Sequence, residues 1–331
     1  MAEFIIGSPL TSVARRHRGL RRLLWWVDFA ALWLIEKLAL LLPVDASSRL
    51  GERIGSWIGP RLTKKHKIFR NNFAVACPEL NEQELETLTR NAWARAGRIL
   101  AEYPHLTTIL AEPERLQIEI LAPVPTYSDT SRPSVFVTAH LSNWEVVCSC
   151  LARLGIPNAS LYSPPTNPLL DKMLLDSRSA LNCELLPRDN SARALMRALR
   201  EGRSAGMVMD RRVDDGKAVQ FFGRDKLSTL MPAKLALKFD CELVPVHVER
   251  LQDARYRVTF HPPISPGDRS ADENTQALDM IQQVHQLFET WIRARPEDWL
   301  CTKRLWAKEK KGKIEHSEET GHDADIDSYA A

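Results

Sequence analysis

The chain predicts an α/β fold, on two observations. From Ser134 onward, short runs rich in β-branched and aromatic residues alternate with segments of helical periodicity. Before that point, residues 45–125 read as helix almost throughout. Such alternation builds a largely parallel sheet covered by helices.

Residues 1–22 form a basic arm carrying Arg15, Arg16, Arg18, Arg21 and Arg22. Residues 23–44 are the most hydrophobic stretch. They are long enough for a spanning helix, which needs roughly 20 residues. Asp28, Glu36 and Lys37 interrupt them. On a helical wheel Arg21, Trp25, Asp28, Leu32 and Glu36 share one narrow face, leaving an apolar helix with a polar seam. Three placements are open: a membrane anchor, a helix lying in the interface, and a helix buried in the protein. A second basic cluster, Arg61, Lys64, Lys65, Lys67 and Arg70, flanks the far end. A full span would export one of the two clusters, which favours a helix along or dipping into a single face.

Residues 45–125 are a helical lead-in. Within them, 82–111 place Leu85, Leu88, Ala92, Ile99 and Tyr103 at helical spacing behind a capping-box start at Asn81. Residues 126–306 are the α/β core. Its expected strands are 134–138, 159–162, 204–209, 243–249 and 256–260. Its expected helices are 144–154, 169–180, 191–200, 232–239 and 274–293. Residues 307–331 are charged, poor in apolar side chains, and read as disordered.

Composition excludes several chemistries. The 331 residues carry a formal net charge of +3, so the basic N-terminal clusters matter more than the total; they point to an anionic membrane surface. No RNA-binding motif or aromatic stacking platform accompanies them, so no nucleic acid is expected. The six cysteines form no CxxC pair and read as reduced thiols. GxGxxG, Walker A, GxSxG and HExxH motifs are all missing, and the nine histidines do not cluster at ligand spacing. The expectation is a site with no cofactor and no metal.

The strand run 134–138 ends at His140, with Glu145 where the next helix begins, and Ser142 and Asn143 offer caps for that helix. Open α/β sheets place their chemistry at such carboxyl ends. His140 can serve as a general base toward a substrate hydroxyl, with Glu145 fixing its tautomer. The plainer alternative is a histidine that only satisfies the strand end. Asn167 opens a helix as a cap or as a site residue, and Arg178 lies at that helix's end. Asp210 sits at another strand end, on the same edge as His140 if the strands are parallel, followed by Arg211 and Arg212. Phe221-Phe222-Gly223-Arg224 either lines a lipid pocket with Arg224 on an anionic head group or packs as a hairpin on the core.

These segments, with Pro232–Ala236, Leu243–Val246 and Pro296–Trp299, occur in one order from about Leu23 to Trp306. Together they resemble the bacterial lipid A biosynthesis acyltransferases of the late lauroyl/myristoyl type. The resemblance implies a glycerolipid-acyltransferase-like αβα core on an N-terminal membrane helix, at the cytoplasmic face of the inner membrane. It implies an acyl-carrier-protein thioester as donor and a lipid A precursor as acceptor. It carries over His140 and Glu145 as catalytic, with Asp210 and Arg178 as further site residues. The family's Tyr-Arg-Pro reads Tyr162-Ser163-Pro164 here, and Asp-Gln-Asp reads Asp210-Arg211-Arg212. Arg211 or Arg212 is a candidate replacement for the missing cation.

Overall fold

A computed structural model of the chain describes residues 10–188 and 191–306. The tail expected over 307–331 and the first nine residues of the arm lie outside the described residues.

The first part of the chain is helical: α1 (Thr11–Arg16), α2 (Arg18–Ala39), α3 (Val44–Ile58), α4 (Thr63–Ala76), α5 (Glu82–Glu102) and α6 (Leu106–Ala111). The apolar stretch over 23–44 is thus not one long helix. It ends in a turn at Leu40–Leu42, and a separate helix starts at Val44. Among the described residues no helix is long and apolar enough to cross a membrane. The spanning expectation for this stretch is therefore corrected, because the charges at 28, 36 and 37 and the break before Val44 dilute its apolar run. α2 lies against α9, described below, with Leu24 and Asp28 buried. Its outer face exposes Leu23, Trp26, Val27, Trp33, Leu34, Ile35 and Leu38.

α3 and α5 pack at very short range. Gly51 and Gly55 of α3 face Gly97 of α5, and a Cβ on Gly55 would come within 2.9 Å of the Gly97 Cα. The spacing of Gly51, Gly55 and Gly59 puts all three on one helix face. A capping box at Asn81 opens α5 as expected: its side chain accepts from the Gln83 and Glu84 amides, and Glu84 reaches back to the Asn81 amide. The buried carboxylate of Glu102 then ties this helical layer to the sheet, accepting from both Arg250 Nη atoms and from Ser48.

The α/β core continues with β1 (Leu116–Ile120), α7 (Pro125–Ser128), β2 (Val135–Thr138), α8 (Val146–Arg153), β3 (Asn158–Tyr162), α9 (Pro168–Arg178), β4 (Glu184–Pro187), α10 (Ser191–Arg200) and β5 (Ser204–Val208). It ends with β6 (Lys217–Phe221), β7 (Arg224–Ser228), α11 (Met231–Phe239), β8 (Leu243–Arg250), β9 (Tyr256–Phe260) and α12 (Glu273–Ala294). The sheet has seven strands in the order β1-β9-β8-β2-β5-β3-β4. All neighbours are parallel except β8 and β9. Along β2 the period of two is plain: Val135 and Val137 enter one core, with α10, α11 and α12, and Phe136 enters the other, with α8. This is the expected αβα sandwich, with helices on both faces.

Candidate active site

Sheet register brings the key side chains together. Thr138 of β2 lies opposite Val208 of β5 in a parallel pair. Two residues further on each strand stand His140 and Asp210, and strands in a sheet run about 4.8 Å apart. His140 Nδ1 and Asp210 Oδ1 meet at 2.5 Å, both side chains buried. The second oxygen of Asp210 accepts from the indole N–H of Trp299 at 2.8 Å.

Trp299 arrives on a strap held against the His140 loop. The Leu300 amide donates to the His140 carbonyl at 2.8 Å and the Ser142 amide to the Asp298 carbonyl at 2.9 Å. Asp298 is itself clamped between Arg95 and Arg295 at 3.2 and 3.1 Å. Ser142 adopts a left-handed backbone (φ 49°) to make this junction, a conformation that costs a non-glycine residue energy and collects at functional sites. For that reason neither Ser142 nor Asn143 caps α8. The helix begins after Glu145, with no side-chain cap.

Burial alone would raise the Asp210 carboxyl. The His140 charge and hydrogen bond, the Trp299 N–H and the charge of Lys226 outweigh it and hold Asp210 far below the usual carboxylate range. The Trp144 ring stands edge-on to the imidazole, centroids 4.7 Å apart.

The structure corrects the expected partner of His140. Glu145 does not orient the imidazole. Its carboxylate is taken by Tyr103 Oη at 2.5 Å and by Arg178, which also reaches Tyr103 Oη at 3.0 Å. The cause is the turn at Ser142 and the late start of α8, which aim Glu145 at α5 and α9 rather than at β2. The trio is buried; desolvation and then the Glu145 charge push the Tyr103 phenol well above its ordinary value.

Asn167 does cap α9, accepting from the Leu169 amide at 3.0 Å, and its amide also donates to the Trp25 carbonyl of α2 at 3.0 Å. Arg211 follows Asp210 directly and lies near Lys65, whose ammonium is lowered by burial and then by the charges of Lys303, Arg211 and Lys64. Arg212 pairs with Asp214 at 2.8 Å. The lipid-pocket reading of Phe221-Phe222-Gly223-Arg224 is corrected. It is a hairpin turn with positive φ at Phe222 and Gly223. Both Phe rings are buried against Trp299 and Trp306, and Arg224 sits at the exposed turn. Sequence reasoning missed Tyr103 and Lys226 as site neighbours. Tyr103 looked like one more apolar position on α5, and only the Pro104 that ends the helix hinted otherwise.

A groove of about 440 Å³ lies between α2 and α9. Trp26, Phe29 and Trp33 of α2 and Leu169 and Met173 of α9 line it, together with the charged Glu36, Lys37, Lys172 and Asp176; Pro104 and Ser177, also in the lining, are the chain neighbours of Tyr103 and Arg178.

A family model described as bacterial lipid A biosynthesis acyltransferase matches residues 11–308. The chain belongs to that family. It is 20% identical over 295 residues to a lipid A biosynthesis acyltransferase of Haemophilus influenzae, covering 87% of this chain and 90% of the relative. It is 25% identical over 183 residues to a phosphatidylinositol mannoside acyltransferase of Mycolicibacterium smegmatis, covering 54% of this chain and 58% of the relative. The chain is a lipid acyltransferase. Its expected αβα core stands.

Proposed function

We propose that this acyltransferase moves a fatty acyl group from an acyl-carrier-protein thioester to a hydroxyl of a lipid A precursor. The observation that carries the mechanism is the His140–Asp210–Trp299 chain at the carboxyl edge of β2 and β5. Asp210 keeps the proton on Nδ1, leaving Nε2 to accept. His140 Nε2 takes the acceptor hydroxyl's proton as its oxygen attacks the thioester carbonyl. A C–O bond forms, the C–S bond breaks, and the imidazolium returns the proton to the departing thiolate. Glu145, Arg178 and Tyr103 form a separate buried hydrogen-bonded trio that fixes the start of α8 against the end of α9.

The aromatic and aliphatic side chains in the groove between α2 and α9 suit an acyl chain, and the cation cluster of Lys64, Lys65, Arg211 and Lys303 suits the acceptor's anionic groups. The exposed apolar face of α2, together with Leu50, Ile54 and Trp57 of α3, supports work at the cytoplasmic face of the inner membrane with these helices in the interface. The test is transfer of a labelled acyl chain by the purified protein, together with mass spectrometry of lipid A from cells with and without it. His140→Ala should abolish transfer with the fold intact; full activity would sink the mechanism.

A second reading keeps the chemistry but uses acyl-CoA and a different glycolipid, and the mannoside-acyltransferase relative favours the change of acceptor. Offering both thioesters to one acceptor, and both acceptors to one thioester, separates the two.

A further inference from the structure

Lys226 is buried as completely as any core side chain, with 0% of its surface exposed. It lies on β7, and its alkyl chain brings the ammonium 4.9 Å from the centroid of the Phe221 ring. Its Nζ donates to the carbonyl of Asp210 at 3.0 Å and of Met209 at 3.3 Å. No carboxylate lies within ion-pair distance of it among the described residues; the nearest anion acting on it is Asp210 itself. A buried cation so placed costs free energy, so its retention needs a reason. The plain one, holding a hairpin to the sheet, would be served by any apolar side chain of that length.

We propose that Lys226 is a positioning residue for His140. It clamps the two carbonyls that follow β5, fixing where the Asp210 carboxylate points, and its positive charge balances that carboxylate so that Asp210 does not over-stabilise the imidazolium. This rests on the reading of His140 as the base. The charged and titratable groups around the ammonium are Asp210, His140 beyond it, and His285 of α12, whose pKa burial and the Lys226 charge lower to about 3. His285 is therefore neutral at working pH, and Lys226 acts on His140 through Asp210. Burial brings the Lys226 ammonium down to about 7, so its charge is fully present only on the acid side of neutrality.

The experiment is histidine-selective ¹⁵N NMR of the full chain, with His140→Gln assigning the resonance, alongside transfer kinetics. In Lys226→Met the His140 titration midpoint should rise by about one pH unit, because a neighbouring cation is lost. The acid limb of the kcat/KM profile should move with it, kcat should fall about tenfold, and the acceptor KM should stay within about twofold. Lys226→Arg, if folded, should restore the midpoint. A midpoint unchanged in Lys226→Met overturns the inference, leaving a structural lysine. Should Lys226→Met fail to fold, Lys226→Gln takes its place with the same expected rise, and an unchanged His140 midpoint in that variant refutes the proposal. The NMR readout does not depend on acyl transfer. An active His140→Ala would retire the general-base reading while leaving the coupling of Lys226 to His140 measurable.

Discussion

Asp210→Asn is the sharpest test of the site, since it keeps the shape and removes only the charge. Two donors converge on this carboxylate, His140 on one oxygen at 2.5 Å and Trp299 on the other at 2.8 Å. An amide has a single oxygen and can satisfy one of them. If the amide oxygen faces Trp299, its NH₂ faces His140 Nδ1, which must then accept and carry its proton on Nε2. The base is then in the wrong tautomer. If the oxygen faces His140, two N–H donors collide at Trp299. The expected loss is about 10³–10⁴-fold in kcat, equal to about 4–5 kcal/mol of barrier. Stability should fall by only about 1–3 kcal/mol, the cost of one unsatisfied buried group. The assay is steady-state acyl transfer with thermal denaturation run in parallel. A folded Asp210→Asn variant within about threefold of wild-type kcat would refute the assignment of Asp210 as the partner of His140.

Glu145→Gln should behave differently. It strands the buried guanidinium of Arg178, so it should cost about 3–5 kcal/mol of stability; the double variant Glu145→Gln/Arg178→Met should recover much of that in a denaturant titration. Gly55→Ala puts a methyl group against the Gly97 backbone and should lower stability by about 1–3 kcal/mol or more through overpacking, read from the urea midpoint. Two pH dependences follow. Asp210 is depressed in the folded state, so its contribution is complete above the unfolded value of about 3.9 and is lost as pH falls below it; the slope of stability against pH in acid should be shallower in Asp210→Asn. Lys226 is depressed to about 7 from its ordinary 10.5, so the unfolded chain binds the extra proton between those limits and stability should rise with pH across that window. Lys226→Met should remove that rise, and an equal slope in both proteins would show that the ammonium is not desolvated.

Much of the frame was legible in the sequence because it depends on local pattern. The strands at 134–138, 204–209 and 256–260 and the helices at 191–200 and 274–293 follow from periods of two and 3.6, and they appear at or within a residue or two of those limits. β1 and β4 were missed. β4 shows no alternation, whereas β1 alternates over Leu116-Gln117-Ile118-Glu119-Ile120 in a run of only five residues, and each is a sheet edge with one neighbour. The hairpin of β6 and β7 was readable only as one of two options, because Phe-Phe-Gly-Arg fits a turn and an exposed aromatic pocket equally well until the core that receives the rings exists. The long apolar stretch failed for a related reason. Hydropathy reports what a segment could bury, not where its charges and its break will fall against α9 and α3.

The sequence by itself determined the α/β class, the placing of His140, Glu145 and Asp210 at element ends, and the family. Each of these is written in residues close together along the chain or in their order. Only the tertiary structure decided which carboxylate meets the imidazole. That choice depends on the register of β2 against β5 and on a strap from residue 298 onward, contacts between residues 70 and more positions apart. Spacing along the chain favoured Glu145, five residues from the histidine. Parallel pairing, which aligns strand ends regardless of their separation in sequence, chose Asp210 and left Glu145 to Arg178 and Tyr103.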